Sequence, residues 1–258
     1  MTAAALTIAG SDPSGGAGLQ ADLKMFHVCG VYGMSAVTLL TVQNTQGVQA
    51  VEMVPAALIA QQVEAVLHDI PPQAIKTGAL GSRENIEKVA GLASRFECPF
   101  VVDPVMISKH GHSLLDESAV DALKMELFDQ ATLITPNLHE AAALTGLQVN
   151  TRNALQDAAF ALAALGPEHV LIKASQLEGG GCDLLYSDGQ LHWFDSPRIE
   201  TTNLHGTGCV YSAAITAFLA RGSSVLEAVE QAKPLITRAI QSAPGLGQGF
   251  GPVNMMGV

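Results

Sequence analysis

The sequence predicts a single α/β domain over residues 1–258, with a central, mostly parallel sheet between two layers of helices. Three observations predict it. Short apolar runs alternate with longer runs of helical spacing, the pattern of strand–helix crossovers that builds a parallel sheet. Glycine-rich turns stand between such runs and open helical ones at two places, Gly10–Gly18 and Gly206–Gly208. No repeat, low-complexity tract or linker divides the chain, so one domain is preferred to two.

The elements follow in order. Ala4–Ala9 reads as a strand, Gly10–Gly16 as a turn, and Gly18–Cys29 as a helix with Leu19, Leu23, Phe26 and Val28 on one side. Val37–Val42 is a β-branched strand, and Pro55–Leu67 a helix with proline near its first turn. Ala74–Thr77 and Phe100–Val102 are short strands flanking a helix around Glu84–Arg95, and Thr132–Thr135 and His169–Ile172 repeat the theme. Leu184–Tyr186 and Leu191–Phe194 form a hairpin with Asp188-Gly189 at its turn. Helices over Thr207–Arg221 and Val225–Ser242 close the chain.

Composition bounds the function. The 258 residues suffice for a sizeable core without staples. With 48 % hydrophobic and 14 % charged residues, the chain is not a disordered one. Thirteen Lys+Arg against 24 Asp+Glu give a net charge of −11, too acidic for a general nucleic-acid surface. A small anionic ligand stays open, because backbone N–H groups hold anions locally. No apolar run reaches about 18 residues, so no membrane span is expected. The start, Met1–Leu6, does not read as a signal peptide. Cys29, Cys98, Cys182 and Cys209 show no paired spacing, so free thiols and a cytoplasmic location are expected.

Two glycine segments carry the chemistry. Gly16-x-Gly18-x-x-Ala21 fits a relaxed dinucleotide fingerprint, but the next strand ends in Gln43-Asn44-Thr45 without the acidic residue that the fingerprint needs. A structural turn remains open there. Phosphate-loop and nucleophile-elbow motifs are absent. His205-Gly206-Thr207-Gly208-Cys209 precedes an apolar helical run. The N–H groups of Gly206 to Cys209 would then sit at a helix N-terminus, which favours anions and suits a transferring phosphoryl group. The alternative is a plain glycine cap. Cys209 there is either a thiol activated by the helix dipole or a small buried residue.

Seven segments together carry a resemblance: Ala9-Gly10-Ser11-Asp12, Gly15–Asp22, Gln43–Val48, Lys76-Thr77-Gly78, Asp103-Pro104-Val105-Met106, Thr135-Pro136-Asn137 with Glu140, and His205–Cys209. In this order and spacing the chain resembles the ribokinase-like superfamily and, within it, the hydroxymethylpyrimidine/phosphomethylpyrimidine kinases of thiamine biosynthesis. The resemblance implies a three-layer α/β/α sandwich. It also implies ATP and Mg²⁺, and phosphorylation of 4-amino-5-hydroxymethyl-2-methylpyrimidine and then of its monophosphate.

It assigns residues too. Asp22 and Gln43 would face the pyrimidine, where a carboxylate and an amide read ring nitrogens and an amine; an exposed helix residue and a strand-end cap are the alternatives. Gly10, Ala17, Leu80 and Val105 would lie on the substrate side. From the residues themselves, Gly111 between His110 and His112 suggests a mobile lid over Ser108–His112, in which Lys109 would meet the phosphate of the second step and His110 and His112 would be solvated loop residues. Asn137, Lys173 and Thr207 would bind ATP, Lys173 being otherwise a solvated strand-end lysine. Glu140 would organise Mg²⁺, usually through water, and Asp103 would join it or cap its loop. Cys209 would be the catalytic base at the Gly206-Thr207-Gly208 turn, or position the alcohol.

Two departures stand out. Lys173-Ala174-Ser175-Gln176 replaces the family's common Lys-Gly-Gly-His, and Leu80 replaces a common methionine. A pyridoxal or pyridoxine kinase of the same subfamily is the rival, but Ile107–His112 lacks the lid cysteine that some of those enzymes use. A sensor without turnover is a second rival. The resemblance implies a homodimer, and the tail Gly245–Val253 would lie near the nucleotide or fray.

Overall fold

The structure, a computed structural model, describes residues 2–106, 115, 117–175, 177 and 181–256. Among the described residues nine strands form one sheet in the order β3-β2-β1-β4-β5-β6-β7-β8-β9. They are β1 (Ala4–Ser11), β2 (Tyr32–Asn44), β3 (Gly47–Met53), β4 (Ala74–Thr77), β5 (Phe100–Val102), β6 (Leu133–Ile134), β7 (His169–Ala174), β8 (Gly181–Ser187) and β9 (Gln190–Ser196). Strands β2, β1, β4, β5, β6 and β7 run parallel, with Ala4 opposite Tyr32 and Ala5 opposite Ala74. Antiparallel β3 extends one edge, and the β8–β9 hairpin extends the other.

Side chains alternate across the strands. Leu6, Ile8, Ile75, Val102, Ile134 and Ile172 point into one core. That core is closed by helices α2 (Ala56–Asp69), α3 (Arg83–Ala93), α4 (Glu117–Ala122), α5 (Leu138–Thr145) and α6 (Arg152–Ala163). Their neighbours Ala5, Ala74, Val101, Leu133 and Leu171 point into the other, under α1 (Gly18–Val28), α7 (Thr207–Ala220) and α8 (Val225–Gln241). Strands buried on both faces explain why the sequence shows continuous apolar runs there. Helix α7 is buried from Val210 to Ala220, matching its all-round apolar sequence.

The expected elements are present, with three differences. Strand β2 runs from Tyr32 to Asn44 rather than Val37–Val42, because its outer half is only partly covered and carries Gly33 and Ser35. Strand β3 was not anticipated. It returns through a turn at Asn44, whose Oδ1 accepts the N–H groups of Gln46 (2.8 Å) and Gly47 (3.3 Å). Helices α4 to α6 were also unassigned. The hairpin turn holds Asp188 and Gly189 at φ 51° and 76°, the left-handed pair that a two-residue hairpin needs. The tail is held rather than frayed: Val253 and Met255 are buried, and Val253 N–H donates to His205 O (3.3 Å).

Candidate active site

The carboxyl ends of the parallel strands converge on one edge, where ligands bind in open α/β sheets. Asp12 follows β1, Gln43 ends β2, Asp103 follows β5, Asn137 follows β6, and Lys173 lies near the end of β7. Facing them is the start of α7. Its cap, Gly206, has φ 79° and, being glycine, offers no side chain to cap this end. Thr207 N–H turns back to Leu204 O (3.3 Å), so the donors that the first turn presents are those of Gly208 and Cys209. A side chain at Gly206 would collide with the Gly16 carbonyl oxygen. The two glycine turns are therefore pressed backbone to backbone, and this close packing explains Gly206.

Lys173 stands over this helix start. A Cβ placed on Gly208 would lie 3.3 Å from Lys173 Nζ. Two positive features thus face each other, an arrangement that an anion between them would relieve. The ammonium is held by Asp103 Oδ1 at 2.8 Å, with side-chain exposures of 11 % and 2 %. Asp103 Oδ1 also accepts from Thr135 Oγ1 (3.1 Å), and Oδ2 accepts from Ser212 Oγ (3.0 Å). Burial raises the Asp103 pKa, but Lys173, Lys76 and the hydrogen bonds outweigh it and hold the carboxyl below the usual range. Burial likewise opposes the Lys173 charge, and Asp103 and Glu140 overcome it. Asp103 is the counter-ion of Lys173; both oxygens are engaged, which weighs against the expected place in a metal shell.

Glu140 and Asn137 form a capping box on α5. Asn137 N–H donates to Glu140 Oε2 (2.8 Å), and Glu140 N–H donates to Asn137 Oδ1 (3.0 Å). Burial pushes the Glu140 pKa up to about 7 against the pull of Lys173. Among the described residues no three His, Cys, Asp or Glu side chains converge to hold a metal ion. This donor set still fits Mg²⁺, which keeps most of its waters and takes phosphate oxygens with one or two carboxylates.

Asp22 lies lower. Its Oδ2 accepts from Lys76 Nζ (2.8 Å) and Thr7 Oγ1 (2.6 Å), and neither charged side chain has exposed surface. It is neither the exposed helix residue nor, in this conformation, a group that a ligand can touch. Burial raises its pKa more than Lys76 and Thr7 lower it. Burial also governs Cys209, half-buried at the helix start, and with Asp22 pushes its thiol up to about 12. Burial and Asp22 thus oppose the thiolate that the helix start was expected to favour.

The remaining expectations divide. Ala17 N–H donates to Asp12 Oδ2 (2.9 Å), and Gly10 lies within β1, where a Cβ would press on Leu39. Gln43 and Val105 are half-buried at the site edge. Leu80 is 2 % exposed within the core, so packing against the sheet claims it rather than the substrate side. Lys109, His110, His112 and Gln176 lie outside the described residues. Sequence reasoning gave no role to Lys76 or to the Asp12–His205 pair. A lysine inside the wholly buried strand Ala74–Thr77 was itself the signal, since such a charge demands a partner.

Comparison with known proteins agrees with this geometry. The phosphomethylpyrimidine kinase family model matches residues 12–254. The hydroxymethylpyrimidine/phosphomethylpyrimidine kinase of Streptomyces coelicolor is 45 % identical over 249 residues, 96 % of this chain and 93 % of the relative. A thiamine biosynthesis bifunctional protein of Geobacter sulfurreducens is 46 % identical over 251 residues; the chain spans about half (51 %) of its length. The pyridoxal kinase of Bacillus subtilis, solved as an ADP complex, superposes with TM-score 0.91 at 37 % identity, covering 99 % of this chain and 98 % of that one. The sheet order, the glycine-capped helix start and these matches lead to one assignment: the chain belongs to the phosphomethylpyrimidine kinase family.

Proposed function

We propose that this kinase transfers the γ-phosphoryl group of ATP to the hydroxymethyl oxygen of 4-amino-5-hydroxymethyl-2-methylpyrimidine, and then phosphorylates the monophosphate to the diphosphate. The observation that carries the reading is Lys173 over the uncapped start of α7. The substrate oxygen bonds to the γ-phosphorus as the bond to the ADP oxygen breaks, and the hydroxyl proton passes to a phosphoryl oxygen. Gly208 and Cys209 N–H groups and Lys173 face the charge on the transferring group. A loose transition state asks for positioning more than for a strong base, so a neutral Cys209 thiol suffices to orient the alcohol. Glu140 and Asn137 are the residues that would hold Mg²⁺ through water; bound there, it would neutralise phosphate charge. Thr207 lines the ATP side, Gln43 the pyrimidine side, and Lys109 serves the second phosphate.

The likeness to a solved pyridoxal kinase favours a second substrate class, pyridoxal. Residues 107–112 carry no cysteine, which supports the pyrimidine. Steady-state rates with Mg-ATP decide between them: a higher kcat/KM for the pyrimidine and its monophosphate is expected, and a higher value for pyridoxal overturns the choice. Absence of ADP release with either would favour a sensor. The homodimer reading is supported by exposed Leu40 and Val42 on β2, with light scattering as its test. Four free cysteines support a cytoplasmic location.

A further inference from the structure

We propose that His205 is a positioning residue that locks the turn Gly206–Cys209 to the turn Gly15–Gly18 through Asp12. The inference rests on the kinase reading above for its kinetic consequence, and on geometry alone for the lock itself. His205 Nε2 lies 2.7 Å from Asp12 Oδ2, with both side chains 4 % exposed. The same Asp12 carboxylate collects the N–H groups of Ser14 (2.9 Å), Gly16 (3.2 Å) and Ala17 (2.9 Å) and the Ser14 hydroxyl (2.8 Å). One carboxylate therefore defines the first glycine turn and grips the residue that precedes the second.

His205 reaches further than Asp12. Its Nε2 also lies 3.2 Å from the Gln43 amide nitrogen on β2, a packing contact while the Nε2 proton is given to Asp12. Its backbone is clasped by the C-terminal tail, through His205 N–H to Gly251 O (3.0 Å) and Val253 N–H to His205 O. A Cβ on Gly16 would press into the imidazole, so the ring fills the seam between the two turns. The side chain thus joins the substrate-side strand, the first glycine turn and the start of α7. A buried polar pair is a poor source of stability, because desolvation offsets most of its attraction. Its hydrogen-bond geometry, by contrast, fixes the relative placement of two backbones. Those backbones carry the donors that face the phosphoryl group, where small displacements are costly in rate.

Three variants test the lock. In His205→Gln the amide reaches the depth of Nε2; in His205→Asn it stops short of Asp12; Asp12→Asn removes the charge and one acceptor. Amide hydrogen exchange on the ligand-free protein is the first readout. His205→Asn should speed exchange about tenfold in residues 15–18 and 206–209 together, with the core helices unchanged. His205→Gln should restore protection. The second readout is kinetic: His205→Asn should lower kcat about 10²-fold with KM for ATP within a few-fold of the parent, and His205→Gln should recover most of it. Equal behaviour of the Gln and Asn variants, or faster exchange in one turn only, overturns the proposal. If His205→Asn does not fold, Asp12→Asn is read in its place, against the same two outcomes. If the parent protein fails to phosphorylate the pyrimidine, the kinase reading falls, while the exchange data still judge the lock.

Discussion

Lys76 Nζ lies 2.8 Å from Asp22 Oδ2, and the two side chains share a site with no exposed surface. This pair joins β4 to α1 near Cys209, where Asp22 raises the thiol pKa and Lys76 lowers it. One oxygen of Asp22 is thus taken up by Lys76 and Thr7. Its other oxygen, Oδ1, is buried without a hydrogen-bond partner among the described residues, a costly arrangement for a carboxylate.

Removing one partner leaves the other charge buried alone. Lys76→Met should destabilise the protein by about 3–5 kcal/mol, the usual cost of breaking a buried pair from one side. Adding Asp22→Asn to it should recover at least half of the loss, because the stranded carboxylate is gone. Urea unfolding of the two single variants and the double variant measures this. Additive losses would falsify the pairing as an energetic unit.

The Cys209 thiol makes a different prediction. With its pKa at about 12, the thiolate fraction should climb about tenfold per pH unit through pH 9 without a plateau. Iodoacetamide labelling of Cys209 in ligand-free protein should follow that slope. Cys209→Ala should lose less than the roughly 10²-fold that removal of a true general base costs. A labelling plateau near pH 7, with a larger loss on substitution, would restore the base role.

These residues show what was legible in the sequence. The strands buried on both faces announced themselves as apolar runs, and Gly206-Thr207-Gly208 before an apolar run marked the helix start that the structure builds. Strand β3 was hidden because Gly47–Met53 is half exposed at a sheet edge and so lacks a clean apolar face. Charge pairing was hidden for another reason. Asp103 and Lys173 are 70 residues apart, and Asp12 and His205 are 193 apart; only the converging strand ends bring them together. The sign of the Cys209 shift was also out of reach, since the helix dipole is readable locally while burial is a property of the whole fold.

Gly206 joins backbone strain to function. Its φ of 79° and its contact with the Gly16 carbonyl leave no room for a side chain. Gly206→Ala should cost about 1–3 kcal/mol from the left-handed conformation alone, with a further penalty from the collision. The start of α7 must then shift from its place against Gly16 and beside Lys173, and kcat should fall by about 10²-fold or more. Gly189→Ala, also at positive φ but with open space around it, is the control. It should cost stability without a matching loss of turnover, and equal kinetic losses in both variants would refute the argument.

Asp103 predicts the acid limb of stability. Burial acts to raise its pKa, but Lys173, Lys76 and its hydrogen bonds outweigh burial, so the folded value lies below the model-compound 3.8. A carboxyl depressed on folding contributes stability that is fully present above its unfolded pKa, and that contribution is lost as pH falls through the folded one. The window is therefore below pH 3.8, where the unfolded chain binds the proton first. Asp103→Asn should flatten the pH dependence of unfolding there by up to one proton, measured as urea midpoints across that range. At neutral pH the same variant takes from the Lys173 ammonium its hydrogen-bonded counter-ion and leaves it against the helix start with Glu140 alone nearby. Without bound nucleotide it should be less stable than the parent, and ATP should restore more stability to it than to the parent, because phosphate replaces the missing anion. An unchanged acid limb, or equal stabilisation by ATP, would show that Asp103 does not hold Lys173 in place.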